Sequence, residues 1–219
     1  MKFLNKLERR YGRYAIHNLP AVIIAMYAAG YIFSIFSPGI LSYLTLEPYY
    51  IMKGQVWRLI SWVLVPPSDL DVFTIIMLFF YFSIGKTLER TWGAFRFNVY
   101  IFSGILFTAI GAFILYFALG GNILFGGYLF STYYINMSIF LAFAASYPDM
   151  QVLLYFIIPI KMKWMGALYG VLVIYDFIQT NWVGKVAILA SLLNFVIYFL
   201  MTRNYYKASP HEIRRKQEF

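Results

Sequence analysis

One apolar stretch of this chain holds side chains that could carry out hydrolysis. The stretch STYYINMSIFLAFAASYPD runs from residue 131 to 149 and includes Ser131 and Ser138. A serine hydroxyl becomes an effective nucleophile only when a base removes its proton, and the oxyanion that follows needs positioned hydrogen-bond donors. The two histidines of the chain, His17 and His211, lie near its two ends. Whether either serine is a nucleophile therefore depends on the elements that would position a base beside it.

The composition indicates that lipid is the solvent of this chain. Of its 219 residues, 62% are hydrophobic and 12% are charged, whereas a soluble domain has about 45–50% apolar and about 25% charged residues. Apolar segments of roughly 20 residues can cross a bilayer as helices. Six such segments are predicted at about 18–36, 70–88, 97–119, 130–147, 164–180 and 185–201. The predicted fold is an all-α polytopic membrane bundle, with a basic N-terminus over 1–17, one six-span domain over 18–201 and a basic tail over 202–219.

The distribution of basic residues tests this span count. If the N-terminus is cytoplasmic, fifteen of the eighteen basic residues lie inside, and only Lys53, Arg58 and Lys185 lie outside. Cytoplasmic segments of membrane proteins carry such an excess of Lys and Arg. Six spans with both termini cytoplasmic are therefore predicted, and the net charge of +9 indicates contact with the bilayer and not with nucleic acid.

Two further predictions follow from composition and length. With no cysteine and only two histidines, the chain lacks the ligands typical of a structural metal site, and no metal or other cofactor is expected. The compact length favours a bacterial plasma membrane over the endoplasmic reticulum.

Two apolar runs are too short to be spans. GQVWRLISWVLVPP (54–67) lies between the first two spans, where Trp57 and Trp62 are expected to anchor it at headgroup level while Arg58 reaches polar groups. This loop is predicted to lie within the outer leaflet. The second run, Gln151–Ile160, is predicted to lie at the inner interface.

Small residues spaced by four predict close helix contacts, because small side chains let helices approach in lipid. Three helices show this spacing, with Gly104, Thr108 and Ala112, with Ala142 and Ser146, and with Gly166 and Gly170.

Three segments, taken in order, resemble the rhomboid superfamily, which includes intramembrane serine proteases and inactive relatives such as the derlins. They are GQVWRLISWVLVPP (54–67), GKTLERTWGAFRFNVYIFSG (85–104) and AFAASYPDMQVLLYFIIPIKMKW (142–164). The resemblance implies a six-helix rhomboid-like bundle with a membrane-embedded first outer loop. At the end of the second span, Glu89 is expected to accept hydrogen bonds from backbone N–H groups of the turn through Trp92 and Gly93.

The same resemblance assigns positions to the catalytic groups of the proteases. The nucleophile position is occupied by Tyr133 and the base position by Ile188, and the two oxyanion-stabilising positions hold Phe73 and Met77. None of these four side chains can do the corresponding task, and Ser138 lies five residues beyond the nucleophile position. The chain is therefore expected to have no catalytic residues and to be a pseudoprotease.

The expected function is lateral binding of transmembrane clients, with local perturbation of the bilayer, in retention, quality control or trafficking. Three polar residues could face such a client or join helices to each other: Asn136, Asp176 and Asn194. One alternative is an active intramembrane protease that uses Ser138 or Ser131 as its nucleophile. Another is a small transporter or channel that depends on Asp176, the acid placed inside a span.

Overall fold

The computed structural model describes residues 2–37, 39–126, 129–154 and 158–202, and most of these residues are helical. The elements are α1 Lys2–Tyr11, α2 Leu19–Phe36, α3 Ile40–Leu44, α4 Pro48–Met52, α5 Arg58–Ser61, α6 Val72–Trp92, α7 Ala94–Ala118, α8 Thr132–Ser146, β1 Gln151–Leu154, β2 Ile158–Lys161, α9 Met162–Gln179 and α10 Trp182–Thr202. Single 3-10 turns follow α1 (Gly12–Tyr14) and α5 (Trp62–Leu64). Residues 203–219, most of the predicted basic tail, lie outside the described residues.

Six helices occupy the positions of the six predicted spans, and they differ in their ability to cross a bilayer. Helices α2, α6 and α7 are each long and apolar enough to cross alone. Helix α10 becomes a fourth only if its halves Trp182–Ala190 and Leu192–Leu200, bent by 43°, count as one span. Helix α8 has 15 residues, or about 22 Å of length at 1.5 Å per residue, against a hydrocarbon core of about 30 Å.

Helix α9 is also a weaker candidate for a span. It has 18 residues, but these include Lys163 near its start and Asp176 near its end. The described part of the chain therefore has three clear candidate spans, or four with the bent helix.

Helix α8 lies at the centre of the bundle. Ten of its 15 residues are buried, and it packs against α6, α9 and α10. A helix that is apolar on every side is one that neighbours surround. The longer helices around α8 therefore fix the positions of its polar side chains.

Helices α7 and α10 approach each other closely through small residues, and Gly104 of the predicted set faces Asn194 there. Gly104, Thr108 and Ala112 are all buried on α7. A Cβ atom added at Gly111 would lie 2.4 Å from the Cβ of Ala190. The backbones thus approach to a distance that only glycine permits at this position.

The small residues of α8 and α9 agree only in part with the prediction. A Cβ at Gly166 would lie 2.8 Å from the Cβ of Ala144, whereas a Cβ at Gly170 would meet nothing within 4 Å. The contact therefore uses Gly166 and Ala144. Neither Ala142 nor Ser146, the predicted pair of α8, lies within 4 Å of a Cβ at Gly166.

Polar and aromatic contacts add to this packing. The Nδ2 of Asn194 on α10 donates to the carbonyl of Tyr100 on α7 (2.7 Å), and its Oδ1 accepts from the hydroxyl of Ser103 (2.7 Å). The ring of Tyr198 on α10 stacks on Trp92 at the end of α6, with the centroids 4.3 Å apart. Helices α6, α7 and α10 are thus joined by directional contacts as well as by close approach.

The second short apolar run forms part of a β-hairpin. Strands β1 and β2 pair antiparallel, with Gln151 opposite Lys161 and Leu154 opposite Ile158. The two strands satisfy backbone groups of each other, which a single extended segment beside a membrane could not do. Just outside the hairpin, Lys163 and Asp149 form an ion pair at 3.2 Å.

The α7–α10 contact generates a stability prediction. Gly111→Ala forces the two Cβ atoms apart, and such overpacking costs about 1–3 kcal/mol. Gly170→Ala makes the same change at a helical glycine with open space around it. We expect thermal unfolding in detergent to shift to lower temperature for Gly111→Ala and to stay level or rise for Gly170→Ala. Equal midpoints for the two variants would show that this close contact is not formed.

Candidate functional site

Helices α6 and α9 lie on either side of α8, and we describe the space between them as a groove with α8 at its base. Both helices pack on α8 but not extensively on each other. The ring of Phe140 on α8 lies 6.0 Å from that of Phe80 on α6 and 4.5 Å from that of Tyr169 on α9. These three rings close the groove at one level. We call this space the α6–α9 groove and the three aromatic residues its floor.

Three exposed residues stand two helical turns from this floor. Each lies seven residues from a floor residue, toward the end where α6 and α8 begin and α9 ends, and seven residues bring a helix back to the same face. They are Phe73 on α6, Tyr133 on α8 and Asp176 on α9. Asp176 is close enough to Tyr133 and Tyr134 to interact with both electrostatically. We call these three residues the rim of the groove.

Three of the four positions matched to protease catalytic groups lie along this groove. Phe73 and Tyr133 belong to its rim, 61% and 39% exposed. Met77, which is 36% exposed, lies on α6 between the rim and Phe80. Ile188 is different, because it is buried within the bundle on α10. The groove therefore presents aromatic and thioether side chains at the three positions that the sequence analysis assigned, by resemblance, to a nucleophile and two oxyanion donors.

The hydroxyl of Ser138 is occupied within its own helix. Its Oγ donates to the carbonyl of Ile135 at 2.7 Å, and the side chain is buried. Such back-bonding is a common arrangement of serine inside helices. The backbone carbonyl of Ser138 accepts from the hydroxyl of Tyr100 at 2.8 Å. Ser131, by contrast, precedes α8 and is half-buried.

Of the three polar residues that could face a client, only Asp176 is exposed. Asn136 is buried, and its Oδ1 accepts from the hydroxyl of Tyr27 on α2 at 3.3 Å. Its Nδ2 has no hydrogen-bond partner among the described residues. Asn194 is buried between α10 and α7, as described above. Both asparagines thus join helices to each other, which is one of the two roles predicted for them, and neither is exposed for contact with a client.

Glu89 is a structural residue, but its partner is not the one predicted. Its Oε1 accepts from the backbone N–H of Asn18 at 2.7 Å, and Asn18 caps the start of α2 with a positive φ of 59°. The N–H of Gly93 bonds to the backbone carbonyl of Glu89 and not to its carboxylate. The carboxylate therefore joins the end of α6 to the start of α2, while Trp92 packs against α10.

The loop between α2 and α6 is organised by Arg58. This guanidinium is buried, donating from Nη1 to the carbonyls of Ser42 (2.8 Å) and Thr45 (3.1 Å) and from Nε to the Oε1 of Gln55 (2.7 Å). It also lies over the ring of Tyr50, 4.8 Å from the centroid. Arg58 thus reaches polar groups, as predicted, but the groups that its Nε and Nη1 bind belong to the loop itself.

Two effects act in opposite directions on the pKa of Arg58. Burial lowers the pKa of Arg58, and the nearby carboxylate of Glu47 raises it. Glu47 is itself buried and accepts the backbone N–H of Phe125 at 2.9 Å. A buried arginine keeps its charge because its ordinary pKa is far above neutrality, so the loop contains a fixed interior cation.

The two tryptophans of the loop have different environments. Trp62 is only 1% exposed and packs in the core, which contradicts its predicted place at the headgroups, whereas Trp57 is 51% exposed. The Nε1 of Trp57 donates to the carbonyl of Tyr43 at 3.2 Å. Exposed apolar side chains surround it, namely Tyr43, Met52, Val56, Leu59 and Ile60. This surface fits the prediction that the loop lies among lipids, with Trp57 as its interfacial residue.

Comparison with known proteins identifies a family. The model of a family described as "Eukaryotic integral membrane protein (DUF1751)" matches residues 19–217. No curated protein and no solved structure matches the chain. The match confirms an integral membrane protein that lies in a lipid bilayer. The eukaryotic description weighs against the bacterial plasma membrane that the sequence analysis preferred.

The bonds of Arg58 generate a second prediction. Arg58→Ala removes the donor to the carbonyl of Ser42 and to the buried carbonyl of Thr45, which costs about 1–3 kcal/mol. Arg58→Lys keeps the charge without the planar fork and should be intermediate. Lys53→Ala, at an exposed base of the same loop, is the matched control. Thermal unfolding and limited proteolysis of the loop measure the effect. An Arg58→Ala protein as stable as Lys53→Ala would contradict this role.

Proposed function

The chain belongs to this family of eukaryotic integral membrane proteins, and we propose that it is a rhomboid-like pseudoprotease. In this proposal it binds transmembrane segments of other proteins from the side and does not cleave them. The α6–α9 groove is the observation that carries the proposal. Retention, quality control and trafficking of membrane proteins are the roles such binding would serve.

The proposed fold treats the six helices α2 and α6–α10 as six spans. A helix as short as α8 can lie at membrane depth if protein covers its ends, because irregular backbone inside a membrane must be buried in protein or line water. Support comes from the start of α8. Phe130 and Thr132 are both buried there, and the hydroxyl of Thr132 donates to the carbonyl of Val65 in the loop at 2.8 Å.

The groove suits a helix that approaches through the lipid. Its apolar rim residue Phe73 and the neighbouring Met77 offer dispersion contacts to an incoming side chain. Asp176 adds the one carboxylate among the three rim residues. A polar or basic side chain is costly in hydrocarbon, and beside Asp176 and Tyr133 it would gain an acceptor. Clients with a basic or hydroxyl-bearing residue at this depth would therefore be preferred.

The absence of proteolysis is proposed from the side chains at the matched positions. A tyrosine at the nucleophile position lacks a base in the proposed alignment, because the base position is a buried isoleucine. Ser138 is engaged with Ile135 and buried inside α8, away from the groove. These features support a protein that binds its client where a protease would hold its substrate, but without the catalytic groups.

The loop between α2 and α6 supplies the proposed effect on the bilayer. Its exposed apolar surface around Trp57 would lie among acyl chains, while Arg58 holds the loop together from within. A rigid, partly inserted loop displaces lipid on one side only. This would loosen the bilayer next to the bundle and ease the lateral entry of a client.

Single-cysteine crosslinking tests client binding directly, because the chain has no cysteine of its own. Met77→Cys and Tyr133→Cys introduce a thiol in the groove, and Leu189→Cys introduces one at an exposed position of α10. With a single-span segment carrying one cysteine and one arginine, we expect several-fold more crosslinking at the groove. Asp176→Asn in the Met77→Cys protein should reduce that yield. Equal yields at all three positions would exclude the groove as the binding site.

A fluorophosphonate probe tests the absence of protease activity. The protein in liposomes is mixed with a single-span rhomboid substrate, and an active rhomboid protease is run in parallel. We expect neither labelling nor cleavage, since no base is positioned beside a serine in the groove. Labelling that Ser138→Ala or Ser131→Ala abolishes, together with cleavage, would instead identify an enzyme with a relocated nucleophile.

A further inference from the structure

A second cavity lies at the opposite end of the bundle from the groove rim. It has a volume of about 410 Å³ and is bounded by the segment after α1 and by the first half of α7. The residues that line it are Tyr11, Tyr14, Ala15, Phe95, Val99, Phe102 and Leu106, with Asn98 and Ser103 as the polar members. We call it the N-terminal cavity.

Hydrogen bonds fasten the two walls of this cavity to each other. Asn98 on α7 accepts from the N–H of Ile16 (3.0 Å) and donates to its carbonyl (2.8 Å). Arg96 bonds to the carboxylate of Glu8 (3.0 Å) and to the side chain of Asn5 (3.1 Å) on α1. The cavity is therefore built before any ligand arrives, and its polar lining residue Asn98 has its hydrogen-bonding groups occupied.

The long wall of the cavity is apolar and faces away from the α7–α10 contact. Phe95, Val99, Phe102 and Leu106 follow one another at spacings of three and four, which places them on one face of α7. From the first to the last, the stripe is about 16 Å long, close to half of the roughly 30 Å hydrocarbon core. Phe102 and Leu106 are exposed. The stripe therefore has the length of one leaflet, which is the reach of an acyl chain.

The mouth of the cavity is basic. The guanidinium of Arg10 lies over the ring of Tyr11 at 5.4 Å, and that of Arg13 lies over the ring of Tyr14 at 4.7 Å. Both tyrosines line the cavity, so each ring brings a cation to its edge. Helix α1 also contributes Lys2, Lys6 and Arg9 to the sequence around the mouth. Its one acid, Glu8, is paired with Arg96.

We propose that the N-terminal cavity binds an anionic phospholipid. One acyl chain lies along the α7 stripe, and the phosphate and anionic headgroup lie against Arg10 and Arg13. A zwitterionic lipid would bring a choline cation to the two arginines along with its phosphate, and a free phosphate would leave the stripe uncovered, whereas an anionic lipid satisfies both. The proposal does not depend on client binding, because it uses neither the α6–α9 groove nor the loop of Arg58.

Native mass spectrometry of the full-length protein, delipidated in detergent, tests this site. Phosphatidylserine and phosphatidylcholine with identical acyl chains are titrated in turn. Since each basic residue near an anionic surface contributes about 1 kcal/mol, we expect the double variant Arg10→Ala/Arg13→Ala to lose roughly thirtyfold in phosphatidylserine affinity. Its phosphatidylcholine affinity should fall much less, because the choline cation offsets the phosphate.

Two matched controls separate this site from general surface charge and general lipid contact. Lys86→Ala/Arg90→Ala removes the same charge at the end of α6, away from the cavity. Val99→Trp fills the stripe and should lower the affinity for both lipids several-fold, whereas Ile114→Trp, at an exposed position farther along α7, should leave both unchanged. Circular dichroism and thermal unfolding confirm that each variant is folded.

The outcomes distinguish a site from adventitious binding. Preferential binding of phosphatidylserine that only the Arg10 and Arg13 change removes, with the stripe-filling variant weakened for both lipids, supports the proposal. Equal binding of the two lipids by the unmodified protein would overturn it. So would an equal loss in Lys86→Ala/Arg90→Ala, or equal effects of Val99→Trp and Ile114→Trp.

Discussion

No water reaches the hydrocarbon core of a bilayer, so each polar group placed there must find its partner inside the protein. Helix α8 is the element on which this constraint acts most strongly, because it is buried on nearly every side and too short to cross alone. Tyr100 on α7 and Tyr27 on α2 donate to it, at the carbonyl of Ser138 and at Asn136. The longer helices, the loop held by Arg58 and the close α7–α10 contact together enclose this one short helix.

The positions of the long helices could be predicted from the sequence, and the partners of individual polar groups could not. Apolar length alone located the six helices, because hydrophobicity is a property of the segment. The inward direction of Arg58 and Trp62 could not be found in that way. A Trp-Arg pair in an amphipathic loop has the same composition whether it faces headgroups or the core, and the decisive acceptors come from Ser42 and Thr45, more than a dozen residues earlier.

Glu89 illustrates the same limit. Sequence proximity pointed to the turn at Gly93, but the carboxylate bonds to the backbone of Asn18, 71 positions away. Asn136 and Asn194 were correctly located inside helices and predicted as possible links between them, yet only the three-dimensional packing identifies Tyr27, Tyr100 and Ser103 as their partners. The β-hairpin was also missed, because QVLLYFIIPI is a continuous apolar run without the alternation that predicts a half-buried strand. The groove could be anticipated in part, since Tyr133, Phe73 and Met77 were identified as positions where catalytic groups were missing.

At both surfaces proposed to bind ligands, most polar side chains are already engaged within the protein, and a charged group is available for the ligand. At the N-terminal cavity, the side chain of Asn98 bonds the two walls together. Lipid specificity therefore depends on the guanidinium groups of Arg10 and Arg13 at the mouth. At the α6–α9 groove, Asn136 and Ser138 of α8 are buried, and Asp176 is the rim residue that exposes a carboxyl group. In both places, side-chain amides and hydroxyls hold helices together. The groups proposed to recognise a ligand are the arginines at the cavity and Asp176 at the groove, each beside an apolar surface. That division follows from the lipid environment, where an unpaired amide is costly at depth but a charge near the end of a helix can still reach polar surroundings.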